Sequence, residues 1–268
     1  MSIASIDKNP FGQFLLKSLF QFLIGEDKLR FYESIDWQQE SDRVLQPHLT
    51  YPHYYISQNF HGIEGGYLNP IAAITYDTVT TYACPPNETW IRQQLINAIN
   101  CQPTSILDLG CGTGSTTLML KQAFEKANAI GLDLSPYMLI VAERKAQQAG
   151  LDIKWQHGLA EATGFPTESF DLVTVSMLFH EAPTNISQLI LQECFRLIKP
   201  GGQLIVLDGN QKRLRSTGWL IALFREPYSK VYAAESVDDW MKAAGFAMVQ
   251  TKYVGWINQI TSGIKPIV

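Results

Sequence analysis

From Ser105 onward, short apolar runs alternate with amphipathic stretches, and this alternation constrains the fold more than any other feature of the chain. A strand covered on both faces reads as a continuous apolar run, and parallel strands need a crossover long enough to hold a helix. SILDL (105–109), AIGLD (129–133), DIKWQ (152–156), FDLVTVS (170–176) and QLIVLDG (203–209) read as five such strands. The segments between them carry helix signals. Residues 115–124 form one helix, and a second opens with Ser135 as N-cap and Pro136 at the first helical position and closes at Gly150. A third, residues 185–197, is stopped by KPGG (199–202). Ser236 and Asp239 suggest a capping arrangement for a last helix ending at Gly245. The runs 246–254 and 256–267 leave no room for a crossover helix, so an antiparallel hairpin at the sheet edge is expected. The fold class is α/β, a sheet of about seven strands with helices on both faces.

The loop after the first strand narrows the ligand. Gly110, Gly112 and Gly114 stand at alternate positions between a buried strand and a helix start. Glycines there allow tight turns and close approach of a ligand to the backbone, and the helix N-terminus offers free N–H groups. Asp133 ends the second strand, nineteen residues beyond Gly114, where a carboxylate can accept hydrogen bonds from both hydroxyls of a ribose. Together they point to a nucleoside-containing ligand. Residue 115 is serine, so the spacing departs from a GxGxxG pyrophosphate loop and disfavours a nicotinamide dinucleotide. With 21 Lys and Arg against 25 Asp and Glu, a net charge of -4, the chain lacks the basic excess of a nucleic-acid binder. The four cysteines form no CxxC pair and read as reduced thiols, with neither a disulfide framework nor a zinc site.

Four segments, LDLGCGTG (107–114), GLDLSPYMLIVAERKA (131–146), EATGFPTESFDLVTVSMLFHE (161–181) and LIKPGGQLIVLD (197–208), occur in an order and spacing that resemble the class I S-adenosylmethionine-dependent methyltransferases, of the type acting on small molecules. The resemblance covers residues 105–268. It implies a Rossmann-like sheet, S-adenosylmethionine as cofactor and no metal. Carried over by residue, it implies that the loop of Asp108, Gly110, Cys111, Gly112 and Gly114 holds the amino-acid part of the cofactor. Asp133 would then bind the ribose, with Leu134 against the adenine, the Ala160 backbone at the adenine edge, and Ser176 beside the methionine portion. Family members often carry Asp after the glycine that matches Gly158. Here Leu159 stands there, which leaves packing, backbone groups and the nearby Glu161 to hold the adenine. The NPPY-type tetrad of many adenine or glutamine N-methyltransferases is absent, since the chain reads SMLFHE. The implied activity is methyl transfer to a small, substantially apolar or aromatic metabolite at oxygen or carbon, with nitrogen less favoured. The competing readings are a non-catalytic cofactor-binding or scaffold protein and, more remotely, a nicotinamide-dependent oxidoreductase.

Residues 1–100 lack the strand–helix alternation and are read as a mainly helical N-terminal cap over a 101–268 domain, with 210–235 as a lid-like insertion after the fifth strand. Helices are expected over 71–83 and 87–100. Six of the eleven tyrosines lie between positions 51 and 82, an aromatic density that suits a pocket wall or a packed cap. In that block His61 and Tyr67 are candidate acid–base partners for an acceptor. His180, directly after the fourth strand, is a candidate base or orienting group, and Glu181 could orient its ring. The apolar segments 11–24 and 218–224 suggest a roof over an apolar ligand or a dimer face. Fourteen residues make about 21 Å of helix, too short to cross a bilayer, so 11–24 is read as a packed or a peripheral membrane helix. The expected protein is cytoplasmic, as a monomer or homodimer, with peripheral membrane contact left open and no nucleic-acid partner.

Overall fold

The computed structural model describes residues 30, 32–83, 86–217 and 226–267. The expectations placed on 11–24 and 218–224 therefore lie outside the described residues. Seven strands form one sheet: β1 (Ser105–Leu109), β2 (Asn128–Asp133), β3 (Lys154–His157), β4 (Phe170–Ser176), β5 (Ile198–Gly209), β6 (Ala247–Val254) and β7 (Asn258–Ile264). Their order is β3-β2-β1-β4-β5-β7-β6. The first five are parallel, and β7 runs antiparallel between β5 and β6. The expected hairpin is present, with β6 at the edge and β7 inside the sheet. Because β7 runs against β5, its first residue, Asn258, pairs with Gly209 at the carboxyl ends of the parallel strands. That end is where an open α/β sheet binds its ligands.

Nine helices of the described residues are labelled α1 (Trp37–Val44), α2 (Pro70–Ala83), α3 (Glu88–Asn97), α4 (Ser115–Ala123), α5 (Pro136–Ala149), α6 (Thr184–Leu197), α7 (Gln211–Ser216), α8 (Ser229–Ala234) and α9 (Val237–Ala243). The residue alternation of the strands sorts two cores onto the two faces. Leu107, Leu109, Val173, Val175, Leu204 and Val206 pack with α6 and α9, whereas Ile106, Leu172, Ile205 and Leu207 pack with α3 and α4. A third cluster joins Tyr32, Phe60, Tyr67, Ala72 and Ala73 of the N-terminal part to Met138 and Val141 of α5. No helix of the described residues is long and apolar enough to cross a membrane.

Three differences from the sequence reading have local causes. Strand β5 begins at Ile198 rather than after KPGG: Ile198 pairs with Phe170 and Gln203 with Leu172, so residues 199–202 bulge out opposite Asp171. Gly201 holds a positive φ of 80° there, and its N–H bonds to Lys265. Helix α3, placed in the cap on sequence, sends Ile91 and Leu95 into the sheet core, because its apolar face meets β5 and α4. The 210–235 insertion is anchored at both ends. Leu214 and Tyr232 pack on the core, Gln211 Nε2 donates to the Tyr232 carbonyl, and the Tyr232 hydroxyl donates to the Gly209 carbonyl at 2.8 Å. Helices α7 and α8 are thus tied to the core through Leu214 and Tyr232.

Candidate active site

The glycine loop is shaped by what surrounds it. Gly110, Gly112 and Gly114 hold φ of 64°, 53° and 78°, a region that side chains adopt at a cost. A Cβ on Gly114 would stand 2.6 Å from the Trp155 ring, and one on Gly110 would stand 2.9 Å from Leu178. At Gly112 the nearest atom would be Tyr76 Cε1 at 3.9 Å, so that glycine alone of the three faces open space. The space is a cleft open to solvent, with about 720 Å³ of empty space counting its open mouth. Gly110, Gly112, Asp133, Leu134, Ala160 and Glu161 all line it, and Tyr54, Tyr55, Phe60 and Tyr76 close it from the N-terminal side.

Asp133 is held in place by two backbone donors. Its carboxylate accepts from Gly112 N–H and Ser135 N–H, both at 2.8 Å. Burial raises its pKa to about 6, against the lowering effect of those two N–H groups, with Glu181 and Asp108 adding to the rise. Ser135 caps α5 through Met138 N–H and donates its hydroxyl to the Tyr67 carbonyl, which ties the N-terminal part to the start of α5 beside Asp133. Glu161 accepts from the Tyr54 hydroxyl at 2.8 Å. His157 has a defined tautomer, since Nδ1 accepts from Gln46 N–H and Nε2 faces the Leu134 carbonyl at 2.9 Å. Burial lowers its pKa.

Five expected cofactor residues stand behind the cavity wall. Asp108 is fully buried, with its two carboxylate oxygens taken by the hydroxyls of Thr117 and Thr174 at 2.6 and 2.7 Å. It braces α4 and β4 against the loop. Gly114 is filled by Trp155, and the Cys111 thiol lies buried beside the Gly112 carbonyl. Ser176 accepts from the Thr116 hydroxyl of α4, and Leu159 bridges to Ala162.

A second cavity, about 940 Å³, adjoins the first. Tyr67, Tyr76, Met177 and Glu181 line both. All three residues expected to serve the acceptor, His61, Tyr67 and His180, line the second. Glu181 joins them: its Oε1 accepts from the Tyr67 hydroxyl at 2.5 Å and lies 2.9 Å from His61 Nε2. His180 Nδ1 lies 2.5 Å from Asp208, and its Nε2 lies 3.6 Å from Glu226 and 3.7 Å from Glu181. Ligating atoms of His61, Glu181 and Glu226 all fall within 4.8 Å of one another.

Charges set the protonation of this cluster. Burial opposes the charge on His61, but the hydrogen bond and charge of Glu181, with Glu226, raise its pKa. Burial likewise opposes the charge on His180, and Asp208, Glu226 and Glu181 lift it well above the ordinary value. Burial pushes Glu181 up, and His61, His180 and Tyr67 pull it below the ordinary value. His61 and Met177 both hold positive φ, 54° and 56°, so backbone strain gathers where the two cavities meet.

Sequence reasoning left out Asp208, Glu226 and Asn258, and Tyr76 entered only as one of the clustered tyrosines. Asp208 had a usable signal, because it lies near the end of a parallel strand as Asp133 does. Glu226 stands in a stretch without periodicity and had none.

Comparison with known proteins agrees with this fold. A family described as a methyltransferase domain matches residues 106–202. A demethylmenaquinone methyltransferase of Thermus thermophilus is 38% identical over 119 residues, 44% of this chain and 53% of that protein. The chain thus spans about half the length of that relative. A demethylmenaquinone methyltransferase of Shouchella clausii is 33% identical over 189 residues, 61% of this chain and 80% of that protein. Among solved structures, an Aquifex aeolicus SAM-dependent methyltransferase covers 74% of this chain and 98% of its own, with TM-score 0.57 and 19% identity. Haemonchus contortus phosphoethanolamine N-methyltransferase 2 with S-adenosylmethionine covers 83% of this chain and 62% of its own, with TM-score 0.62 and 13% identity. At those identities the solved structures speak for the fold. With the Shouchella clausii relative matched over four fifths of its length, the chain belongs to the class I S-adenosylmethionine-dependent methyltransferases, and S-adenosylmethionine is its cofactor.

Proposed function

We propose that this protein transfers the methyl group of S-adenosylmethionine to a small, substantially apolar or aromatic molecule, at oxygen or carbon. The observation that carries this reading is the meeting of two cavities, one walled by the glycine loop and Asp133, the other by His61, His180 and Glu181. The cofactor, when bound, supplies a methyl group already activated on a positively charged sulfur.

The remaining work is positioning and proton handling. The open face of Gly112 and the carboxylate of Asp133 fit an amino-acid chain and a ribose, with Leu134, Ala160 and Glu161 around the adenine. Asp108, Cys111, Gly114, Leu159 and Ser176 support that wall from behind. An acceptor in the second cavity packs on Ile63, Ala72, Val79 and Leu214. Its hydroxyl proton, or the proton that leaves a methylated carbon, passes to the ring nitrogen of neutral His61 that does not face Glu181, while Nε2–H is donated to Glu181. Glu181 then stabilises the imidazolium, and Tyr67 holds Glu181 in place. His180, fixed by Asp208, orients Glu181 and Glu226. The curated relatives are named for demethylmenaquinone, and a ring-bearing acceptor of that kind is compatible with the apolar wall.

The test is methyl transfer from labelled S-adenosylmethionine to a panel of phenolic and quinol rings. His61→Ala should lose about 100-fold in kcat with S-adenosylhomocysteine affinity unchanged. Because Glu181 raises the His61 pKa, the neutral base gains population only above the ordinary histidine range. The rate should therefore climb with pH through that region, and Glu181→Gln should move the climb to lower pH. Near-normal turnover in His61→Ala would remove it as the base.

A further inference from the structure

Asn258 lines the second cavity and is 2% exposed, yet among the described residues its Nδ2 has no hydrogen-bond partner. Buried donors are rarely left without a partner, and an orphan on a cavity wall is a group whose partner arrives with a ligand. Among the described residues nothing accepts from it. Its backbone is engaged with Gly209 and Val254 in the sheet, the Gly209 carbonyl already accepts from the Tyr232 hydroxyl, and the adjoining Leu214 and Ile257 side chains are apolar. The position follows from the topology. Strand β7 starts at the carboxyl end of β5, so a polar residue at its first position enters the ligand-binding end of the sheet. The imidazole–carboxylate cluster reaches the same cavity from other elements, the N-terminal part and the turn after β4.

We propose that Asn258 is a specificity-determining residue, whose amide donates a hydrogen bond to an oxygen of the acceptor other than the atom served by His61. The acceptor is then a molecule with two separate oxygen functions on an otherwise apolar frame: one at the imidazole–carboxylate cluster, and one carbonyl, ether or hydroxyl oxygen at Asn258. This rests on the reading that the second cavity holds the acceptor. A site built to bond a substrate oxygen rejects an analogue lacking it, because the buried donor is left unpaired.

The experiment is calorimetric binding to the full chain saturated with S-adenosylhomocysteine. The probes are 1-naphthol and its 2-, 3- and 4-methoxy derivatives, which add a hydrogen-bond-accepting oxygen to one frame. At least one methoxy isomer should bind about tenfold more tightly than 1-naphthol. That gain should vanish in Asn258→Leu and in Asn258→Asp, which keeps the shape of the side chain but loses the donor. Unchanged S-adenosylhomocysteine affinity in each variant reports an intact fold. The proposal is overturned if no methoxy isomer gains over 1-naphthol, if none of the probes binds, or if the gain survives in both variants. The readout needs no methyl transfer. Probes that bind through Asn258 while no methyl moves would therefore defeat the catalytic reading and leave the assignment of Asn258 standing.

Discussion

Asp133 is stabilised for its ligand at the expense of the empty fold. Burial raises its carboxyl pKa to about 6, above the ordinary 3.8, so its contribution to folding is fully present below the ordinary value and lost as pH rises through about 6. At neutral pH the ionised group is a liability that Gly112 and Ser135 only partly offset. Asp133→Asn should therefore leave the cofactor-free protein at least as stable at neutral pH, measured by thermal unfolding. The same change should weaken S-adenosylmethionine binding by about 1.5–3 kcal/mol, the worth of hydrogen bonds to a charged group. In the unaltered protein, cofactor affinity should fall as pH drops through about 6, because a protonated carboxyl loses an acceptor. Affinity independent of pH across that range would remove Asp133 as the ribose carboxylate. The position of Asp133 was legible, because a strand end followed by a serine cap and a proline is a local signal. The inward turn of Asp108 was not. Its partners, Thr117 and Thr174, come from a helix and a strand that only packing brings together.

Among the elements, α2 shows how far a helix pattern reaches. Its extent is legible to within a residue at its start, but its faces are not. On one side Tyr76 lines both cavities, and Ala72, Thr75, Val79 and Thr80 line the second. On another, Asp77 accepts from Thr113 and Ser115 of the glycine loop and α4, and pairs with Lys145 of α5 at 2.7 Å. The helix that walls the second cavity is thereby fastened to the loop that walls the first. Asp77→Ala should reduce stability by about 1–2 kcal/mol in urea unfolding, a modest figure for a part-exposed group. Amide exchange at Thr113–Ser115 should quicken in the same variant. Unaltered exchange there would show that the loop is held without α2. The insertion after β5 is the opposite case. Its length was legible, but the packing of Leu214 and Tyr232 depends on a core made by β5, the turn Phe179–Glu181 and α9, which come from separate parts of the chain.

At the scale of the whole molecule, one buried ion pair ties the N-terminal part to the sheet. Arg92 of α3, 5% exposed, bonds Glu88 and the Thr116 hydroxyl; Thr116 bonds Ser176 of β4, and Glu88 also accepts from Thr80 of α2. Removing one partner of such a pair leaves a buried charge, so Glu88→Ala should cost about 3–5 kcal/mol in urea unfolding. Replacing both, as Glu88→Leu with Arg92→Met, should recover most of that loss, and a double variant no better than the single would refute the argument. What the sequence by itself determined is the parallel sheet, the helix caps, the glycine loop and Asp133, because strand period, capping and turn chemistry act over a few neighbouring residues. Only the tertiary structure decided that His61 and Tyr67 meet Glu181, His180, Asp208 and Glu226, and that Asn258 opens onto the same cavity. Those residues lie on separate turns and strands, and their meeting depends on strand order and on how the N-terminal part packs over the sheet's carboxyl end, which no local pattern encodes.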